Sequence, residues 1–268
     1  MPKNVTEDIL NLPPPPADAR IPYGPDRNQF LDLRMPVSRE KKGKPFPLVF
    51  NIHGGFWRSQ YSLDHAGHLC AALTRKQLAT ANVEYRRVGN EGGAWPGTFA
   101  DIRIAYHFLI QNTQQHNFDA QNVLVMGHSA GGQLALCLAA HESGVKRVVS
   151  LAGVVDLNRA YQLHLSNDAV VAFLRGTPSD VPDHYREADP MQLSIPNAGQ
   201  VLISGSADET VPPLFSRDYV AAKQQRTQDK KENVQLIEIA GARHFDVIDP
   251  RSQAWKTIEE TVLGLLGS

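Results

Sequence analysis

The chain has 268 residues, of which 42 % are hydrophobic and 21 % charged, with 27 basic residues against 28 acidic ones. That length and apolar content suit one large α/β domain better than two small ones, and they exclude disorder over most of the chain. A net charge of −1 gives no global field for nucleic acid or an anionic membrane, and no stretch reaches the roughly 18 uninterrupted apolar residues of a transmembrane helix.

Residues 1–22 include four consecutive prolines at positions 13–16 and read as a polyproline II arm. The arm lacks the basic start and apolar block of a signal peptide. Residues 23–268 show no internal repeat and no long linker, so one domain is expected there. Within it, residues 28–35 alternate apolar and polar side chains, the pattern of an early antiparallel strand. Residues 46–52 form a continuous apolar run ending in His53-Gly54-Gly55, as a buried strand does before a turn. Helical spacing follows over 63–73, then a strand over 78–85 and a helix over 98–110, with Phe99, Ile102, Ala105, Tyr106 and Leu109 on one stripe.

A short apolar strand, 123–126, runs into Gly127-His128-Ser129-Ala130-Gly131, and a helix carrying Leu134, Leu136, Leu138 and Ala139 comes next. Strands are expected at 145–151, 201–204 and 234–239, and a helix at 255–266 closes the chain. This alternation predicts an α/β fold, an open and mostly parallel sheet with helices on both faces. Its functional loops then lie at the carboxyl ends of the strands. Residues 156–196 are too long for an ordinary connection and are expected to form a small cap over those ends, with a helix at 168–174. The two cysteines, Cys70 and Cys137, fall in helical stretches and read as buried apolar residues of a soluble, cytoplasmic protein.

The G-x-S-x-G string between a buried strand and a helix is the strongest chemical signal. A serine hydroxyl is a weak nucleophile unless a sharp turn presents it openly beside a base, and the flanking glycines remove side chains that would clash in such a turn. Ser129 is therefore the candidate nucleophile. Of ten histidines, His244 is the candidate base, because it follows the strand 234–239 just ahead of the last helix. Asp208, in the loop Gly205-Ser206-Ala207-Asp208-Glu209, is the expected orienting acid, with Glu209, Asp246 and Asp249 as competitors. The order serine, acid, histidine is that of a strand–turn–helix hydrolase.

Oxyanion donors are expected from the amides of Gly54 and Gly55, after the first buried strand, together with that of Ala130. Phe56, Trp57, Trp95 and Phe173 are candidate walls of a substrate pocket. His65 and His68, three apart on a helix, have no third ligand near them in sequence, so no metal site is expected. Glu84 is expected to pair with Arg86 or Arg87 below the site.

Together, HGGFW, GHSAG, SADETVP and GARHFD resemble the α/β-hydrolase superfamily over residues 23–266. HGG followed by an aromatic residue and Trp57 is similar to the branch that holds small carboxylesterases and kynurenine formamidases (arylformamidases). The resemblance implies acyl transfer to water through a serine ester, without a cofactor. A small carboxylic ester is the expected substrate, with N-formylkynurenine as the alternative; a peptidase and a non-catalytic ligand receptor are the remoter readings. A small molecule is the expected partner, not nucleic acid or membrane, and the oligomeric state stays open.

Overall fold

The computed structural model of the protein describes residues 7–37, 44–225 and 232–267, so residues 1–6 of the proline-rich arm fall outside it. Eight strands are present: β1 (Ala19–Pro22), β2 (Phe30–Arg34), β3 (Phe46–Ile52), β4 (Ala79–Val83), β5 (Phe118–His128), β6 (Arg147–Leu151), β7 (Gly199–Gly205) and β8 (Val234–Ile239). They form one sheet in the order β1-β2-β4-β3-β5-β6-β7-β8. β2 pairs antiparallel with both neighbours, and every pairing from β4 to β8 is parallel.

The continuous apolar runs follow from burial on both faces. Along β3, Leu48, Phe50 and Ile52 point into one core and Val49 into the other; Val123 and Val125 alternate with Leu124 and Met126 in β5. Helices α1 (Gly67–Thr74) and α8 (Trp255–Leu266) cover one face through Leu69, Leu73, Ile258 and Val262. The other face is covered by α2 (Gly97–Gln111), α3 (Ala130–His141) and α7 (Leu214–Gln224), among others.

Two strands depart from expectation. Residues 19–22 form the edge strand β1, paired with β2 from Ala19–Leu33 to Pro22–Phe30. Four residues are too few to show a period, and Pro22 is tolerated because a strand edge needs no donor there. β5 starts at Phe118, five residues early, because Phe118 pairs with Phe46 ahead of a register shift. Helix α7 had no clear apolar stripe, since its buried side includes Ser216 and Lys223 beside Phe215, Tyr219 and Val220.

The chain passes from β3 outward to β4 and then crosses to β5 on the other side of β3. At this reversal Ile52 lies opposite Gly127, so the loops after β3 and β5 emerge side by side at the carboxyl ends, where open α/β sheets bind ligands.

Residues 156–196 hold three short helices, α4 (Leu157–Gln162), α5 (Ala169–Leu174) and α6 (Pro182–Ala188). Asp189 ends α6 and accepts from Asn158 Nδ2 at 3.1 Å and from the Met191 amide at 3.1 Å. Burial pushes its carboxyl up, the Leu157 amide partly offsets this, Asp156 adds to it, and the result is about 6. A folded value above the unfolded one, near 3.9, means stability fully present below about pH 4 and lost as pH rises through about 6. The gap corresponds to about 3 kcal/mol at most. Asp189→Asn has no charge to desolvate, so its stability relative to wild type should improve by up to about 3 kcal/mol between pH 4 and pH 8. Urea unfolding at both pH values measures this; a difference independent of pH would mean that the carboxyl ionises freely in the fold.

Candidate active site

Ser129 sits between β5 and α3 with φ 56° and ψ −118°, a conformation that L residues adopt only when surroundings enforce it. Three contacts enforce it here. The Ser129 amide donates to Leu151 O at 2.8 Å, and the Ser129 carbonyl accepts from Gly132 at 3.0 Å and Val154 at 3.2 Å. A Cβ on Gly127 would meet Gly131 O at 2.1 Å, so the turn is too tight for any side chain there. The Ser129 hydroxyl is buried and has no hydrogen-bond partner within the protein. A buried unpaired hydroxyl is costly, and such groups concentrate at functional positions.

This serine lines a cavity of about 240 Å³ together with His244, Gly55 and His128. His244 comes from the loop after β8, and its Nδ1 lies 2.7 Å from Asp208 Oδ2. Asp208 follows β7, and its other oxygen accepts from the amides of Thr210 (2.8 Å) and Val211 (2.9 Å). The carboxylate is thereby oriented from both ends, and the imidazole is left with Nε2 unused by Asp208. Of the competing acids, Asp246 instead accepts from the Arg243 amide at 2.6 Å, and Asp249 binds Arg251.

The loop after β3 faces the elbow. A Cβ on Gly54 would lie 2.9 Å from His128 O and 3.1 Å from Ser129 Cβ, so this backbone touches the nucleophile turn directly. Among the described residues no acceptor is bonded to the amides of Gly54, Gly55 or Ala130. Ala130 opens α3, so its N–H has no carbonyl a turn earlier within the helix.

A buried polar cluster holds the loop. His53 Nδ1 lies 2.7 Å from Gly54 O and its Nε2 lies 3.0 Å from Glu84 Oε1, while Tyr85 stacks on the ring and donates from its hydroxyl to His53 O at 2.8 Å. Glu84 also meets Arg87 at 2.7 Å, as expected, whereas Arg86 pairs with Asp101. Burial alone would raise the Glu84 carboxyl, but His53 and Arg87 outweigh it and hold the group below the usual range.

Of the four aromatic residues expected in the pocket, the cavity is lined by Phe56 and not by the other three. Trp57 stacks on Phe173 at 4.4 Å, Trp95 meets Phe173 edge-on at 6.1 Å, and all three are buried. Trp57 also donates from Nε1 to Gln133 at 3.0 Å. These rings anchor the 156–196 insertion to the loops after β3 and β4. The insertion reaches the cavity through Ser166, whose carbonyl accepts from Arg58.

Two further histidines line the cavity. His128 Nε2 donates to His244 O at 2.9 Å and so ties the nucleophile's neighbour to the backbone of the base. Burial, with His244 and His65 close by, holds the His128 imidazole well below its usual pKa. Burial and the neighbouring His53 push His65 down to about 3. Both rings are therefore neutral at neutral pH and act as aromatic surface with a polar atom. The sequence reads His65, beside His68, as a surface or packing residue rather than a metal ligand, which does not reveal its place in the cavity; among the described residues no group of three metal-ligating side chains is present. His128 is the second residue of G-x-S-x-G, Thr210 lies within SADETVP and Phe245 within GARHFD, while Tyr61 belongs to no such motif.

Residues 31–222, from β2 to near the end of α7, match the BD-FAE family model. The chain belongs to the BD-FAE family. This BD-FAE member is 25 % identical to esterase LipC of Mycobacterium tuberculosis over 263 residues, which cover 86 % of the chain and 60 % of LipC. It is also 25 % identical to esterase LipQ of the same organism over 243 residues, 80 % of the chain and 56 % of LipQ. The BD-FAE chain thus spans less than two thirds of the length of these relatives. Esterase B from Lactobacillus rhamnosis superposes with a TM-score of 0.81 at 18 % identity, covering 98 % of this chain and 91 % of that one. At that identity the likeness speaks for the fold, which is that of the α/β-hydrolases. Among the described residues of this BD-FAE protein no helix is long and apolar enough to cross a membrane.

Proposed function

We propose that the protein hydrolyses small carboxylic esters, with Ser129 as nucleophile, His244 as base and Asp208 as its orienting acid. The observation that carries this is the buried, unpartnered Ser129 hydroxyl in the same cavity as His244, whose Nδ1 is held by Asp208 at 2.7 Å. In this reading His244 Nε2 takes the hydroxyl proton as Oγ attacks the ester carbonyl, and the carbonyl π pair moves to oxygen. The amides of Gly54, Gly55 and Ala130 then supply donors for the oxyanion, each worth roughly 10²–10³ in rate. Collapse breaks the bond to the alkoxy oxygen, which leaves with the proton from His244. Water repeats the sequence on the acyl-serine and releases the acid. Each step uses side chains, backbone amides and water.

The names of the esterases LipC and LipQ favour an ester over a formamide, and nothing in the cavity favours N-formylkynurenine. At about 240 Å³ the space is below the roughly 300 Å³ at which drug-sized pockets begin, which supports a small substrate. Turnover of p-nitrophenyl acetate and N-formylkynurenine, measured side by side, tests the choice. The ester should be cleaved with the higher kcat/KM; faster cleavage of the formamide would overturn the assignment.

A further inference from the structure

We propose that the proline-rich segment ahead of the sheet is a specificity strap, with Leu10 forming the wall that limits the length of the acyl group bound beside Ser129. The proposal rests on reading the cavity as the hydrolase site. The key observation is that Leu10 lines that cavity although it lies 119 positions before the serine in the sequence. The family match starts only at residue 31, so this wall comes from outside the matched region.

The segment is fastened along its length. Ile9 is fully buried, and the turn Glu7–Leu10 packs on the turn Leu63–Ala66, which carries the cavity residue His65. Pro14 packs directly on α1 at Gly67. Arg34 Nη2 donates to Pro15 O at 2.7 Å, the Met35 amide donates to Asp18 Oδ2 at 2.6 Å, and the Asp18 amide donates to Leu33 O at 2.9 Å. β1 then joins the sheet. Prolines at 13–16 restrict the backbone between these anchors, so holding Leu10 in place costs little chain entropy.

The cavity lining is chemically mixed, and its apolar part suits an acyl chain. Leu10, Phe56, Tyr61 and Phe245 present aliphatic and aromatic surface, while Ser166 and Thr210 present hydroxyl-bearing side chains. An aliphatic acyl chain gains by lying against apolar side chains such as these. Tyr61 is kept in position by Arg87, which donates to its backbone carbonyl, and Arg87 is in turn paired with Glu84. The Tyr61 backbone is therefore braced by the buried cluster. Leu10 is 38 % exposed, so the strap side of the pocket is the one that a side-chain change can open or close without reworking the core.

The test is a series of p-nitrophenyl esters from acetate to octanoate, with the leaving group constant, on the full chain and two variants. Leu10→Ala should raise the octanoate-to-acetate ratio of kcat/KM by tenfold or more, given roughly fourfold per methylene accommodated. Leu10→Trp should move preference the other way and lower the butyrate-to-acetate ratio. A parallel series of acetates of ethyl, benzyl and naphthyl alcohols serves as the control. Unchanged ratios in both variants would overturn the proposal, as would a change confined to the alcohol series. Loss of the hydrolase reading looks different, because wild type would then turn over none of the esters.

Discussion

Ser129→Ala is expected to lower ester turnover by roughly 10⁴–10⁶, with the fold intact, because loss of a nucleophile in such a constellation leaves only what oriented binding and the oxyanion donors contribute. The stability side of this prediction is equally specific. The hydroxyl removed has no partner in the protein, so no hydrogen bond is lost with it. The backbone at φ 56° stays strained in the alanine variant. Ser129→Gly removes both the hydroxyl and the strain; relief of about 1–3 kcal/mol outweighs the roughly 0.5–1 kcal/mol that glycine costs in chain entropy. An inactive Ser129→Gly protein should therefore unfold at a higher denaturant concentration than wild type, the trade expected where a site stores strain for function. Turnover retained within a hundredfold in Ser129→Ala would remove Ser129 as nucleophile. A glycine variant less stable than wild type would show that the elbow is not strained.

The legible parts of this protein were those whose signal is local in sequence. The elbow is five consecutive residues between an apolar strand and a helix, and the order of Ser129, Asp208 and His244 follows from where the strands end. Parts assembled from distant segments were not legible. Leu10, Tyr61, His65 and Ser166 share one cavity only because the strap, the loop after β3 and the insertion converge on the same strand ends. Trp57, Trp95 and Phe173 were misjudged for a related reason. Nearness to HGG for Trp57, to a strand end for Trp95 and a place in the insertion for Phe173 put each residue near the site but do not say which way its side chain turns. Left-handed backbone at Phe56 (φ 49°) and Trp57 (φ 57°) sets that direction, leaving Phe56 on the cavity and Trp57 inside the stack with Phe173. Helix spans with a clean stripe, such as α2 and α8, matched within a residue at each end; β1 is too short to show a period, and the buried side of α7 is broken by Ser216 and Lys223.

Asp208→Asn should cost about 10⁴ in kcat while leaving the fold and the His244 contact in place, and the geometry says why. In wild type one carboxylate oxygen accepts from the amides of Thr210 and Val211 and the other faces His244 Nδ1. An asparagine must keep its single oxygen on the two amides, because turning it round would aim an NH₂ group at two N–H donors. Its NH₂ then faces His244, whose Nδ1 has to become the acceptor. The proton moves to Nε2, and the imidazole can no longer take one from Ser129. The same reasoning separates this variant from Asp208→Ala, which also leaves the buried Val211 amide unpaired, at about 1–3 kcal/mol, together with the part-buried amide of Thr210. The asparagine protein should thus be nearly as stable as wild type and inactive, and the alanine protein both inactive and destabilised. Paired measurements of kcat and urea midpoint distinguish the two. An asparagine variant within tenfold of wild-type kcat would mean that the tautomer of His244 is not controlled from position 208.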